Sequence, residues 1–153
     1  MDPESRGDMH EGFDFGHPST SIYAPDFGLV QGDANVWPEQ LGPSFKKVVM
    51  EYFDSVAALG RKMAQIFALS LNLEETYFDK YITLPAAIAR LLYYPPQTGT
   101  VDMKAIGIGA HSDYELFTIL AQQDDISALQ VKNRDGEWIH AEPIPVCMYF
   151  CRR

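Results

Sequence analysis

From Ser44 to Leu71, apolar residues recur at three- and four-residue steps. Phe45, Val48, Val49, Tyr52, Phe53, Val56, Leu59, Met63, Ile66, Phe67 and Leu71 form one stripe, and Lys46, Lys47, Glu51, Arg61, Lys62 and Gln65 fall largely off it. This pattern predicts a long amphipathic helix with one core face, and Gly60 marks where it could bend. The aromatic and methionine side chains of the stripe are read as core, not as a cofactor box. Asn72 followed by Glu75 has the form of a capping box and predicts a second, short helix through Tyr81.

After Pro85 the period shortens. AAIARLLYY (86–94) is better read as a strand than a helix, although its Ala and Leu content leaves a helix open. A Gly/Pro-rich loop, PPQTGTVDMK, precedes AIGIGAHSD, LFTILAQ, ALQVKN and EWIHAEP, which are separated by the turn-like DYE, QDDIS and NRDG. Short strands so punctuated predict an antiparallel sandwich or jelly roll. Residues 1–43 are rich in Gly, Pro, Asp and Ser and predict an irregular, surface-hugging N-terminal arm. The expected organisation is thus arm 1–43, helical segment 44–84 and strand-rich core 85–153, with a divergent tail at 146–153.

Composition narrows the function. The chain has 153 residues, 46% hydrophobic, with net charge −9 and only 12 Lys and Arg, so it can build a core but is a poor partner for nucleic acid or an anionic membrane. No apolar run is long enough for a transmembrane helix, and the acidic start is neither a signal nor a transit peptide. The two cysteines, Cys147 and Cys151, are no disulfide framework, so a cytoplasmic location is the default expectation.

His111 and Asp113 stand one residue apart in GAHSDYELFTIL (109–120). In a strand, positions i and i+2 share a face, so an extended segment would bring imidazole and carboxylate to one point. Such an N,O pair suits a first-row divalent metal. The alternative is a strand-end histidine beside a turn-forming aspartate.

The ordered set RLLYYPP (90–96), GAHSDYELFTIL (109–120) and ALQVKNRDGEWIHAEPIP (128–145) resembles the isopenicillin-N-synthase-like family of Fe(II)- and 2-oxoglutarate-dependent dioxygenases. HEGFDFG (10–16), NVWP (35–38) and the long helix match the region upstream of that family's core. The resemblance implies an α+β chain in which a long packing helix precedes a double-stranded β-helix, a cupin-like jelly roll. It implies an oxidoreductase that hydroxylates or desaturates a small molecule with dioxygen, while 2-oxoglutarate is decarboxylated to succinate. Carried over by position, His111 and Asp113 match two iron ligands, and Tyr94 matches a tyrosine that contacts 2-oxoglutarate. Arg90 would share Tyr94's face and either steer the anionic cosubstrate or form a structural ion pair. Leu92 stands where many plant members have asparagine.

The chain departs from the pattern after about Pro145. The family's distal iron-binding histidine and Arg-x-Ser pair have no counterpart, and VCMYFCRR does not resemble the family's next segment. His140 is read as an ordinary surface histidine, or one that supports the ligands from behind, rather than a third ligand, His10 and His17 belong to the arm, and Cys147 and Cys151 are read as incidental thiols. The expectation is a family member truncated at both ends, weak in metal binding and without turnover. The alternative is a non-catalytic truncated product or gene-model fragment that acts, if at all, as a protein-binding module.

Overall fold

A computed structural model describes residues 8–16, 22–24, 29–31, 35–82, 87–98, 100, 107–113, 116–145 and 148–152. It divides the chain into two compact units, Met1–Ala110 and His111–Arg153.

The first unit is organised by one helix, α1 (Gly42–Ser70), with Pro43 in its first turn, where a missing N–H costs no helical hydrogen bond. It is continuous through Gly60. The predicted single stripe splits. Val49, Phe53, Ala64 and Ala68 are buried, whereas Val48, Tyr52, Leu59 and Ile66, on the neighbouring strip, are exposed. Val49 and Phe53 pack against Phe15, on a ladder that has two strands among the described residues.

No second α-helix forms among the described residues. Asn72 instead terminates α1: it takes a left-handed backbone (φ 56°), its N–H bonds to Leu69 O, and the Leu73 N–H bonds to Ala68 O. This is the paired C-terminal motif of a helix, and asparagine tolerates its left-handed position better than most residues do. Turns follow, then a single 3-10 turn at Asp79–Tyr81.

The described part of the arm contains strands. β1 (Glu11–Gly16) pairs antiparallel with β4 (Ile88–Tyr93), and β2 (Ile22–Ala24) pairs with β3 (Leu29–Gln31). In β1, Phe13 and Phe15 alternate with Gly12 and Asp14, so the two aromatics share a face. Phe15 is 1% exposed and meets Val49 and Phe53, with Phe13, Trp37, Phe45 and Ala89 around them. Ring centroids of Phe15 lie 5.6, 5.9 and 6.1 Å from those of Phe13, Trp37 and Phe53. Such tilted and stacked aromatic pairs add roughly 0.5–1.5 kcal/mol each beyond area burial. Asn35 closes the end of β1: its Oδ1 accepts the Gly16 N–H at 3.0 Å and its Nδ2 donates to Gly16 O at 2.7 Å, as a neighbouring strand would.

In the second unit, β5 (Phe117–Leu120) pairs with β8 (Tyr149–Arg152), and β6 (Gln130–Lys132) pairs with β7 (Trp138–His140), all antiparallel. The β6–β7 hairpin turns through NRDG as expected. Gly136 takes φ 86° and donates to Asn133 O at 3.2 Å, while the Asn133 and Glu137 backbones pair at 2.9 Å. A glycine in this left-handed position is what a turn with a one-residue bulge requires. The tail expected to diverge supplies β8. No helix among the described residues is long and apolar enough to cross a membrane.

Candidate active site

β1 and β4 fix the first group of site residues. Their register pairs Glu11 with Tyr93, Gly12 with Leu92 and Asp14 with Arg90. The odd-numbered residues, Phe13, Phe15, Ala89 and Leu91, therefore share the helix-facing side. Gly12, Asp14, Arg90 and Leu92 share the other. Tyr94 follows the last residue of β4 and continues this second face.

Arg90 is held by Asp14, its direct cross-strand partner. Nε donates to Asp14 Oδ1 and Nη2 to Oδ2, each at 2.6 Å, in a bidentate pair. These hydrogen bonds hold the Asp14 carboxyl below its ordinary range; partial desolvation opposes the shift and the Arg90 charge reinforces it. Of the two roles the sequence left open for Arg90, the structure supplies this ion pair.

The Tyr94 ring lies 5.8 Å from the His10 ring and against the backbone of Gly107. A Cβ at position 107 would come within 2.7 Å of Tyr94 Cδ1, so any larger residue there would force the ring to move. Desolvation pushes the Tyr94 phenol up, the Asp8 charge adds to that, and Arg90 partly offsets it. At neutral pH the hydroxyl is therefore protonated and able to donate to a carboxylate.

The second group belongs to the other unit. His111 and Asp113 are not in a strand; residues 107–113 run as bend and irregular chain. Strand alternation thus does not explain their convergence, yet they converge: His111 Nε2 lies 3.4 Å from Asp113 Oδ1. The Thr118 hydroxyl, on β5, donates to Asp113 Oδ2 at 2.6 Å and leaves Oδ1 toward the imidazole. One carboxylate oxygen is thereby fixed by a neighbour while the other stays on the histidine side, an outer hydrogen bond of the sort that orients metal ligands. The donor chemistry, one imidazole and one carboxylate, fits two positions of a first-row divalent ion. Among the described residues, no group of three His, Cys, Asp or Glu side chains is placed to hold a metal.

His140 Nε2 lies 3.0 Å from Gln130 Nε2, its cross-strand partner, on the exposed β6–β7 hairpin. His17 and Cys147 lie outside the described residues, as does the side chain of Cys151. Asp14, Thr118, Gly107 and His10 were not marked as site residues by the sequence. The alternation of Phe13 and Phe15 around Asp14 was a usable strand signal for the first of these. No local signal marks the other three, whose partners are distant or lie across an irregular segment.

A family profile described as the 2OG-Fe(II) oxygenase superfamily matches residues 85–150, which reaches past Pro145 into β8. A homoarginine-6-hydroxylase from Glycine max is 40% identical over 90% of this chain and 43% of its own length. A 2-oxoglutarate-Fe(II) type oxidoreductase, ppzC, from Metarhizium majus is 43% identical over 67% of this chain and 29% of its own length. A full-length Neurospora crassa protein crystallised in complex with alpha-KG superposes with TM-score 0.81 and 26% identity, covering 97% of this chain and 44% of that one. The chain thus spans less than half the length of these relatives. The profile match covers both the His-x-Asp pair and the Tyr-Tyr-Pro segment, and the family uses Fe(II) and 2-oxoglutarate. On these matches, the chain belongs to the 2OG-Fe(II) oxygenase superfamily.

Proposed function

We propose that this protein is an Fe(II)- and 2-oxoglutarate-dependent dioxygenase that hydroxylates or desaturates a small molecule on a jelly-roll scaffold. The observation that carries the proposal is the approach of His111 Nε2 to Asp113 Oδ1 at 3.4 Å, within the segment matched by the family profile. His111 and Asp113 would hold the metal, and Thr118 orients the carboxylate. Tyr94, protonated at neutral pH, would donate a hydrogen bond to a carboxylate of 2-oxoglutarate. Arg90 lies on the same strand face, where Asp14 offsets its charge. When bound, the iron supplies the oxidative step, with dioxygen as oxidant and 2-oxoglutarate as co-reductant that leaves as succinate and carbon dioxide. The chain's own residues bind, orient and hold protons.

A second role rests on one observation: only two metal donors come together among the described residues. Under it the chain is non-catalytic and acts as a protein-binding module. The two are separated by adding Mn(II), a paramagnetic stand-in for Fe(II), under nitrogen with 2-oxoglutarate. The dioxygenase proposal expects selective broadening of the His111 and Asp113 resonances, abolished in H111A and D113A, and succinate when Fe(II) and air are supplied. Broadening that ignores both substitutions, with no succinate, sinks it.

A further inference from the structure

We infer that Asp8 and His10 are positioning residues that fix the Tyr94 side chain and the Gly107–Gly109 stretch leading into His111. The inference rests on the proposed role of Tyr94 at the cosubstrate. The β1–β4 register ends with Glu11 opposite Tyr93, so one step outward sets His10 opposite Tyr94. Their rings lie 5.8 Å apart at 51°. His10 Nδ1 is 3.1 Å from Gly107 O. A carbonyl can only accept, so Nδ1 carries the hydrogen in this contact. Gly107 in turn lies so close to the Tyr94 ring that any Cβ there would collide with it. Two residues along, the Gly109 N–H donates to Asp8 Oδ1 at 2.8 Å. The Asp8 charge also raises the Tyr94 phenol's affinity for its proton.

Two segments far apart in sequence, Asp8–His10 and Gly107–Gly109, thus meet beside Tyr94. Asp8 and His10 grip residues 107–109 from one side, and Gly107 and His10 both touch the ring. A tyrosine on an exposed strand end would otherwise be free to change rotamer. Removing that freedom before the cosubstrate arrives is preorganisation, which strengthens binding without a new contact to the ligand.

The test uses the full chain and two substitutions at Asp8, whose side chain is exposed and contributes nothing to the core. D8N keeps an oxygen acceptor for the Gly109 N–H but removes the charge; D8A removes both. Residue-resolved amide exchange should show the Gly109 amide exchanging about tenfold faster in D8A, the worth of one ordinary hydrogen bond, and near the native rate in D8N. Tyrosine carbon-13 resonances, with Tyr94 assigned through Y94F, should show its ionisation midpoint lowered in both variants. H10L should shift the Tyr94 ring resonance, because it removes both the imidazole ring beside Tyr94 and the Nδ1 donor to Gly107 O. Native exchange at Gly109 in D8A, or D8N matching D8A there, overturns the hydrogen-bonded tether. A Tyr94 resonance unmoved by H10L overturns the role of His10. None of these readouts requires cosubstrate. Unchanged 2-oxoglutarate affinity in Y94F removes the proposed role of Tyr94 at the cosubstrate instead, and is measured separately.

Discussion

Consider removing the Asp14–Arg90 pair. Both hydrogen bonds are 2.6 Å long, but the side chains remain 47% and 56% exposed. Two unit charges about 4 Å apart in water attract by about 1 kcal/mol. Ordering two side chains costs part of this, and bidentate geometry recovers some of it. The coupling should therefore be about 0.5–1 kcal/mol, the upper part of the range for exposed pairs. The pH dependence has a definite sign. Asp14's folded carboxyl lies below its ordinary value near 3.8, so the pair stabilises above the unfolded value and is lost as pH falls through the folded one. Urea unfolding of the native chain, D14N, R90M and the double variant gives the coupling directly. It should be present at neutral pH and low salt, weaker in high salt, and absent in acid. Zero coupling at neutral pH and low salt, or coupling that persists unchanged in acid, refutes the argument. If R90M alone then weakened 2-oxoglutarate binding, with D14N like the native chain, Arg90 would be acting on the cosubstrate directly.

Other consequences follow from single residues. F15A removes the most buried aromatic among the described residues of the first unit and should cost about 3–5 kcal/mol, read as loss of the cooperative thermal transition; a cost under 1 kcal/mol contradicts the placement of the core. G107A forces the Tyr94 ring to shift and should cost about 1–3 kcal/mol by urea denaturation, with a moved Tyr94 resonance; a native spectrum rules the close approach out. At Asn72, N72G should be neutral or slightly stabilising and N72A should cost about 1 kcal/mol, and the reverse order in melting temperature excludes the left-handed cap.

The long helix was legible in the sequence because a 3.6-residue apolar repeat over 28 residues has no competing interpretation. The β6–β7 hairpin was legible because NRDG carries its own turn chemistry. The family, and with it the His-x-Asp pair, was legible in ordered motifs. The strand in the arm was not: HEGFDFG sits among glycines and prolines, and only pairing with a segment some 76 residues later makes it a strand. Local composition favours a loop there, and long-range hydrogen bonding overrides it. Asn72 misled in a related way, since asparagine suits either end of a helix and only the backbone decides which.

The amino-acid sequence by itself determined the element types with strong local periodicity and the chemical identity of the two proposed metal donors. Only the tertiary structure decided which strip of the helix is covered, that Arg90 is neutralised by Asp14, and that His10 and Gly107 converge on Tyr94. It also decided that His111 and Asp113 meet through an irregular bend with Thr118 behind the carboxylate, rather than through strand alternation. The division has a physical cause. Periodicity and turn preference act between near neighbours, whereas partner choice is set by which distant backbones pair, and that information is spread over the whole chain.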